Sequence, residues 1–267
     1  MARGLGAFVS ARGSAELQGA LEGLPAPPPG PGPGGGAEPA CLVAGPPGSG
    51  KTSALFHCAH AAAASGGTAL VVASRGALEA RPPLLPEGSS PDDAAWDRVQ
   101  LRYLEEPGEI ERFAATVHLL EGPQPEVLLV DDVDARLPAA GPRDGRLKKA
   151  TEMALVRRMA YLHEACRALS ARLPGERTCR LVVSATSGGA GTEDPVQELY
   201  IYRRWTPLVV HLQPAAAWPG SFELSVLPTD LTRGHDVCSA RVRYSLALGS
   251  HVRVEEVLRG TPYPDGA

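Results

Sequence analysis

Gly45-Pro46-Pro47-Gly48-Ser49-Gly50-Lys51-Thr52 spells G-x-x-x-x-G-K-T between two apolar segments, CLVA (41–44) and SALFHCAHAAAA (53–64). A strand entering such a turn and a helix leaving it make a phosphate cradle. Glycines 45, 48 and 50 permit backbone angles that bring several N–H groups round to one anion. The helix N-terminus adds partial positive charge. Gly45, Pro46, Pro47, Gly48, Ser49, Gly50, Lys51, Thr52 and Ser53 are therefore the expected nucleotide-binding residues. Lys51 is expected to reach the terminal phosphates and to serve catalysis, and Thr52 to ligate magnesium. ATP and Mg2+ are the implied cofactors.

A phosphate site needs a second metal anchor. EVLLVDD (126–132) is apolar on both faces, as a central parallel strand must be, and it ends in Asp131. Ligands gather at the carboxyl edge of such sheets, so Asp131 is the candidate magnesium acid. Asp132, its neighbour, is the candidate for orienting an attacking water; a solvent-facing turn residue fits that position equally well.

Around these residues strands and helices alternate. Strands are expected at 41–45, 68–74 (TALVVAS), 99–104 (VQLRYL), 126–132 and 180–186 (RLVVSAT). Helices are expected at 51–65 and over PGEIERFAATVHLLEG, where Ile110, Phe113, Ala114, Val117 and Leu120 share a face. A loop at 133–146 leads to a long helix whose stripe is Leu155, Met159, Leu162, Cys166, Leu169 and Leu173, a core face. A polar, Pro-rich stretch without elements is expected up to about residue 95. Beyond 187 the chain reads as strands without long helices: LVVHLQP, FELSVLP, ARVRYSLAL and HVRVEEV. The fold class is α/β: a mostly parallel sheet flanked by helices, with antiparallel strands added at the C-terminal end.

This order of parts resembles the RecA recombinase family over roughly residues 38–258. GPPGSGKT, VQLRYLEEPGEIERF, EVLLVDDVD, SARLPGERTCRLVVSAT and ELYIYRRWTPLVVHLQP resemble one branch of it, the recombinase-paralogue ATPase subunit that associates with a SWIM-type zinc-finger protein in Shu-type complexes. The resemblance implies a RecA-like P-loop core and a nuclear ATP-binding subunit of a homologous-recombination DNA repair complex. It implies binding to single-stranded DNA, support of recombinase filaments with a SWIM-type zinc-finger partner, and a weak DNA-dependent ATPase activity. One departure bears on turnover. RecA-type ATPases carry a catalytic Glu just after the second strand; ALVVASRG places Arg75 there, and an arginine is no base at neutral pH. Binding of ATP with slow hydrolysis at best is the expectation. The sensor position after the fifth strand falls near Thr186 and Ser187.

RecA-like proteins hold a single strand with two loops. The first corresponds to RLPAAGPRDGRLKK, with Arg136, Arg143, Arg146, Lys148 and Lys149 against Asp144. That charge suits phosphates, and the lack of an aromatic argues for backbone-led binding. The second, GGAGTED, has two acids and suits DNA poorly. Arg203 and Arg204 beside Trp205 are expected to rim a strand. Phe8-Val9-Ser10-Ala11 has the F-x-x-A spacing by which recombinases join a neighbour.

Composition sets the remaining bounds. The chain has 267 residues, 43% hydrophobic and 21% charged, which suits one globular domain, 38–267, with a sizeable core. EGLPAPPPGPGPGGGAEP (22–39) is dominated by Pro and Gly, so residues 1–37 are expected to be a flexible Ala-rich arm and linker. A formal charge of −4 gives no global basic field, so nucleic acid must be met by a local patch. Five cysteines without a C-x-x-C read as small buried hydrophobes. His57, Cys58 and His60 cluster in sequence, yet positions 57 and 58 point different ways on a helix, so no metal is expected there. No apolar run reaches the ~18 residues that cross a bilayer, so no membrane partner is expected. Arg3 and Arg12 fit an organelle transit peptide, and Glu16 and Glu22 do not. Two rival functions stand beside the first: a P-loop nucleotide or small-molecule kinase, and a scaffold with a vestigial nucleotide site. A kinase usually needs a lid with several arginines, against which the strand-rich C-terminal third argues.

Overall fold

The computed structural model describes residues 40–86, 88–135, 137, 145–187, 199–227, 240–246 and 252–259, with backbone alone at 145–148, 227, 240, 253, 254 and 257–259. The chain runs β1 (Ala40–Gly45), α1 (Lys51–Ala64), β2 (Ala69–Ala73), α2 (Arg75–Ala80), β3 (Val99–Tyr103), α3 (Glu109–Thr116) and β4 (Val127–Val130). It continues through α4 (Gly145–Ser170), β5 (Arg180–Thr186), α5 (Leu199–Tyr202), β6 (Leu208–Pro214), β7 (Ser221–Leu227), β8 (Ala240–Leu246) and β9 (Val252–Arg259). The strands form a single sheet in the order β3-β2-β4-β5-β1-β6-β7-β8-β9. Neighbours from β3 to β6 pair parallel, and β6 to β9 form an antiparallel meander.

The strand sequences explain the two-sided core. Side chains alternate between faces along a strand, so a strand covered on both sides must be apolar at every position. In β1, Leu42 and Ala44 join the cluster under α3 and α4, built on Phe113, Leu155, Met159, Leu162, Cys166 and Leu169. Cys41 and Val43 join the other cluster, under α1, with Leu55, Phe56, Leu212, Val242 and Tyr244. From β1 the chain crosses to β2 on one side, while β6 lies on the other. That reversal opens a crevice at the carboxyl end of β1, where α/β folds place ligands.

Several boundaries differ from the sequence expectation. The Pro-rich stretch holds α2, whose Ser74 cap accepts from the Ala77 N–H at 3.2 Å, and a 3-10 turn at Ala94–Arg98 capped by Asp93. α2 buries none of its residues, so it leaves no apolar period to read. The helix at 109 ends at Thr116 and tightens into a 3-10 turn over Val117–Leu119. β4 stops at Val130 because Asp132 takes a left-handed φ of 47°. α4 begins at Gly145, inside the expected loop, and Leu173 lies beyond its end, partly buried. Arg203, Arg204 and Trp205 do not rim a strand: they form the turn that closes α5, with Arg204 N–H on the Ile201 carbonyl and Trp205 N–H on the Tyr202 carbonyl. One helical turn is too short to show a period.

His57 and His60 look to different partners. His57 Nε2 pairs with the Leu84 carbonyl at 3.0 Å, and His60 Nε2 with Asp93 Oδ2 at 2.9 Å, with Trp96 against the His60 ring. Both tie the 81–98 crossover to α1. The Cys58 thiol is buried, which pushes its pKa up to about 11. The arm 1–37, including Phe8 and Ala11, lies outside the described residues.

Candidate functional site

The G-x-x-x-x-G-K-T stretch turns at the end of β1. Gly48 and Gly50 have φ of 79° and 86°, a region L side chains rarely enter. A Cβ on Gly45 would come within 2.6 Å of Ser49 Oγ and 2.8 Å of Leu212 Cβ, so only glycine fits. Pro46 and Pro47 carry no N–H and form the outer rim. Ser49 Oγ is buried and has no hydrogen-bond partner among the described residues. A hydroxyl so placed wants an acceptor, and a phosphate oxygen supplies one. Lys51 is 7% exposed and donates to the carbonyls of Gly45 at 3.0 Å and Pro46 at 3.2 Å. Its ammonium therefore sits inside the cradle. Ser53 Oγ accepts from the Leu84 N–H at 3.0 Å, which leaves its main chain as its offering to a ligand.

Opposite the cradle, Thr52 Oγ1 donates to Asp131 Oδ2 at 2.8 Å. The other oxygen, Oδ1, accepts from Ser184 Oγ at 2.6 Å. Ser184 in turn accepts from the Asp132 N–H at 2.7 Å, and its own carbonyl takes the Val133 N–H at 2.7 Å. Burial, then the neighbouring Asp132, push the Asp131 pKa up, against the hydrogen bonds from Ser184 and Thr52 and the charge of Lys51. Hydroxyl and carboxylate oxygens are hard donors, a set that suits Mg2+. Asp132 Oδ1 is buried without a partner among the described residues, an acceptor held ready beside the metal acid.

The expected sensor residues are anchored too. The Thr186 N–H donates to Asp134 Oδ2 at 3.0 Å, and the Ser187 N–H to the Gly45 carbonyl at 3.0 Å. Arg75 begins α2, its N–H on Glu105 Oε1 and its guanidinium 4.7 Å from the centre of the Tyr103 ring. Sequence reasoning missed Ser184, Asp134 and Arg158. Arg158 is 3% exposed and holds the turn after Asp132 through the Val133 and Ala135 carbonyls, at 2.7 and 2.8 Å, and Glu111 Oε1 at 2.8 Å. A signal existed for it: an arginine three after Leu155 and four before Leu162 interrupts an apolar stripe.

The basic stretch is only partly described. Arg136 and Arg143 lie outside the described residues, as does GGAGTED. Arg146 and Lys148 fall in the first turn of α4 with backbone alone, and Lys149 is exposed just after them.

Residues 41–187 match the ATPase family associated with various cellular activities (AAA). The chain is 31% identical over 189 residues to human ATPase SWSAP1, covering 70% of this chain and 77% of that protein. Against mouse ATPase SWSAP1 it is 28% identical over 182 residues, 68% of this chain and 61% of that one. The crystal structure of the RadB recombinase superposes with a TM-score of 0.54 at 18% identity, over 83% of this chain and 94% of that one, a likeness of fold. Cradle, metal acid and strand order agree with these matches, and the chain belongs to the RecA-like recombinase-paralogue ATPases, the nucleotide-binding P-loop family that includes ATPase SWSAP1.

Proposed function

We propose that the chain is the ATP-binding subunit of a homologous-recombination repair complex in the nucleus, binding single-stranded DNA and supporting recombinase filaments with a SWIM-type zinc-finger partner. The observation that carries this reading is the Thr52–Asp131–Ser184 chain, which ties the cradle to the metal acid across three strands of a RecA-ordered sheet. Gly45 to Ser53 embrace the triphosphate, Lys51 neutralises its end, and Thr52 and Asp131 hold Mg2+. Bound Mg2+ bridges phosphate oxygens and screens their charge. Asp132 is the acid left to orient a water. The place after β2 is taken by Arg75, so turnover is slow and the nucleotide serves as a switch that orders loops and interfaces.

Ser184 keeps both Asp131 and the 132 peptide in place. Ser184→Ala strips one charge-assisted bond from Asp131 and leaves the Asp132 N–H without its acceptor. Such bonds are worth roughly 1.5–3 kcal/mol. ATP affinity in saturating Mg2+ is expected to fall about tenfold, with affinity in EDTA unchanged. An equal loss in both buffers contradicts the role.

Arg136, Arg143, Arg146, Lys148 and Lys149 are the proposed DNA contacts, supported by the exposure of Lys149 at the head of α4. Lys148→Glu with Lys149→Glu is expected to weaken binding of a labelled single strand and to lower its salt slope by about two. Fluorescence anisotropy from 50 mM salt upward, as an order of magnitude, reads both. Wild-type affinity in the double variant removes this segment from the function. Capture of a SWIM-type protein by the full chain tests the partner.

A further inference from the structure

The last strands of the chain reach back to the phosphate cradle. Tyr244 on β8 is fully buried and donates its hydroxyl to the Ser49 carbonyl at 2.6 Å, across 195 positions of sequence. Two residues on, Leu246 packs over the same turn: a Cβ on Gly50 would come within 3.1 Å of Leu246 Cδ2. The antiparallel meander is therefore built against the peptide that joins Ser49 to Gly50.

That peptide is a weak point in any such loop. Glycines on either side of Ser49 sit at φ of 79° and 86°, and glycine resists rotation of a peptide plane least. A planar trans peptide sets its C=O and N–H in opposite directions. A carbonyl fixed on β8 therefore sends the Gly50 N–H the other way, away from the meander. Burial pushes the Tyr244 phenol well above its usual ionisation range, so it stays a donor. We infer that Tyr244 is a positioning residue for the nucleotide: its hydroxyl locks the Ser49–Gly50 peptide with the Gly50 N–H facing the phosphates. This rests on the nucleotide site proposed above and assigns the C-terminal meander a part in phosphate binding, beyond completing the sheet.

Tyr244→Phe in the full chain keeps the ring and its stack on Phe222, 5.8 Å between centroids, and removes only the hydroxyl. Val242→Ala serves as the comparison: it loosens the same strand from a fully buried position in the core and touches nothing in the cradle. Titration calorimetry of the folded proteins with Mg-ATP is expected to show about tenfold weaker binding for Tyr244→Phe. Val242→Ala is expected to bind as wild type. Unchanged binding by Tyr244→Phe overturns the inference, and so does equal weakening of both variants, which reports strand stability alone. A wild-type chain that takes up no Mg-ATP refutes the nucleotide site itself, a result distinct from either.

Discussion

Arg158→Ala is expected to cost about 3–5 kcal/mol of folding stability, the scale for stripping one partner from a buried ion pair. The guanidinium is 3% exposed and binds Glu111 Oε1 together with the Val133 and Ala135 carbonyls. Glu111 is 20% exposed at its side chain, and its Oε2 is buried without a partner among the described residues. Removing the arginine thus strands a carboxylate and two carbonyls at once. The pair itself is a poor source of net stability, because both charges were taken from water. Arg158→Met with Glu111→Gln is therefore expected to recover much of the loss, while each single change is costly. Urea unfolding of the four proteins measures the coupling directly. A loss below about 1 kcal/mol for Arg158→Ala, the range of an exposed pair, shows that the bridge is solvated and that the turn after Asp132 is held by something else.

That turn illustrates what a linear sequence reveals and what it conceals. β5 and β6 fall where RLVVSAT and LVVHLQP predict, because fully buried strands are apolar at every position and polar loops bracket them. Gly45, Lys51, Thr52 and Asp131 were legible for a different reason: phosphate and magnesium chemistry demands particular groups at particular spacings. Ser184 was not, since one serine in an apolar strand says nothing of the carboxylate on the neighbouring strand. Only the β4–β5 pairing, which sets Val130 beside Val183, brings Ser184 to Asp131. Tyr244 is more remote still. Its partner lies three strands away through β1, β6 and β7, and no local pattern encodes a contact of that separation. α2 escaped notice because its stability comes from a serine cap and not from a buried face. Positions legible in the sequence are those constrained by ligand chemistry or by continuous burial; the hidden ones act through partners that only the folded sheet supplies.

Lys51→Ala is expected to lower Mg-ATP affinity by about a hundredfold while leaving the ligand-free protein within ~1 kcal/mol of wild type. The separation of these two effects follows from the bonds around the ammonium. The Gly45 carbonyl that Lys51 engages also accepts the Ser187 N–H at 3.0 Å, and the Pro46 carbonyl also accepts the Ser49 N–H at 3.3 Å. Each acceptor keeps a donor when the lysine goes, so no carbonyl is abandoned. Burying an ammonium costs desolvation that two neutral acceptors offset only in part, and its removal relieves that cost. In the complex the balance reverses. A phosphate oxygen is a charged acceptor, and the low dielectric of the cradle strengthens its attraction for the ammonium. Ligand-induced stabilisation reads the difference cleanly: a nucleotide at 100 times its Kd raises wild-type stability by about 2.7 kcal/mol, and a hundredfold weaker variant at the same concentration gains about 0.4. If Lys51→Ala keeps the full thermal shift with Mg-ATP, the nucleotide does not sit with its phosphates at the end of β1, and the cradle geometry is left without its ligand.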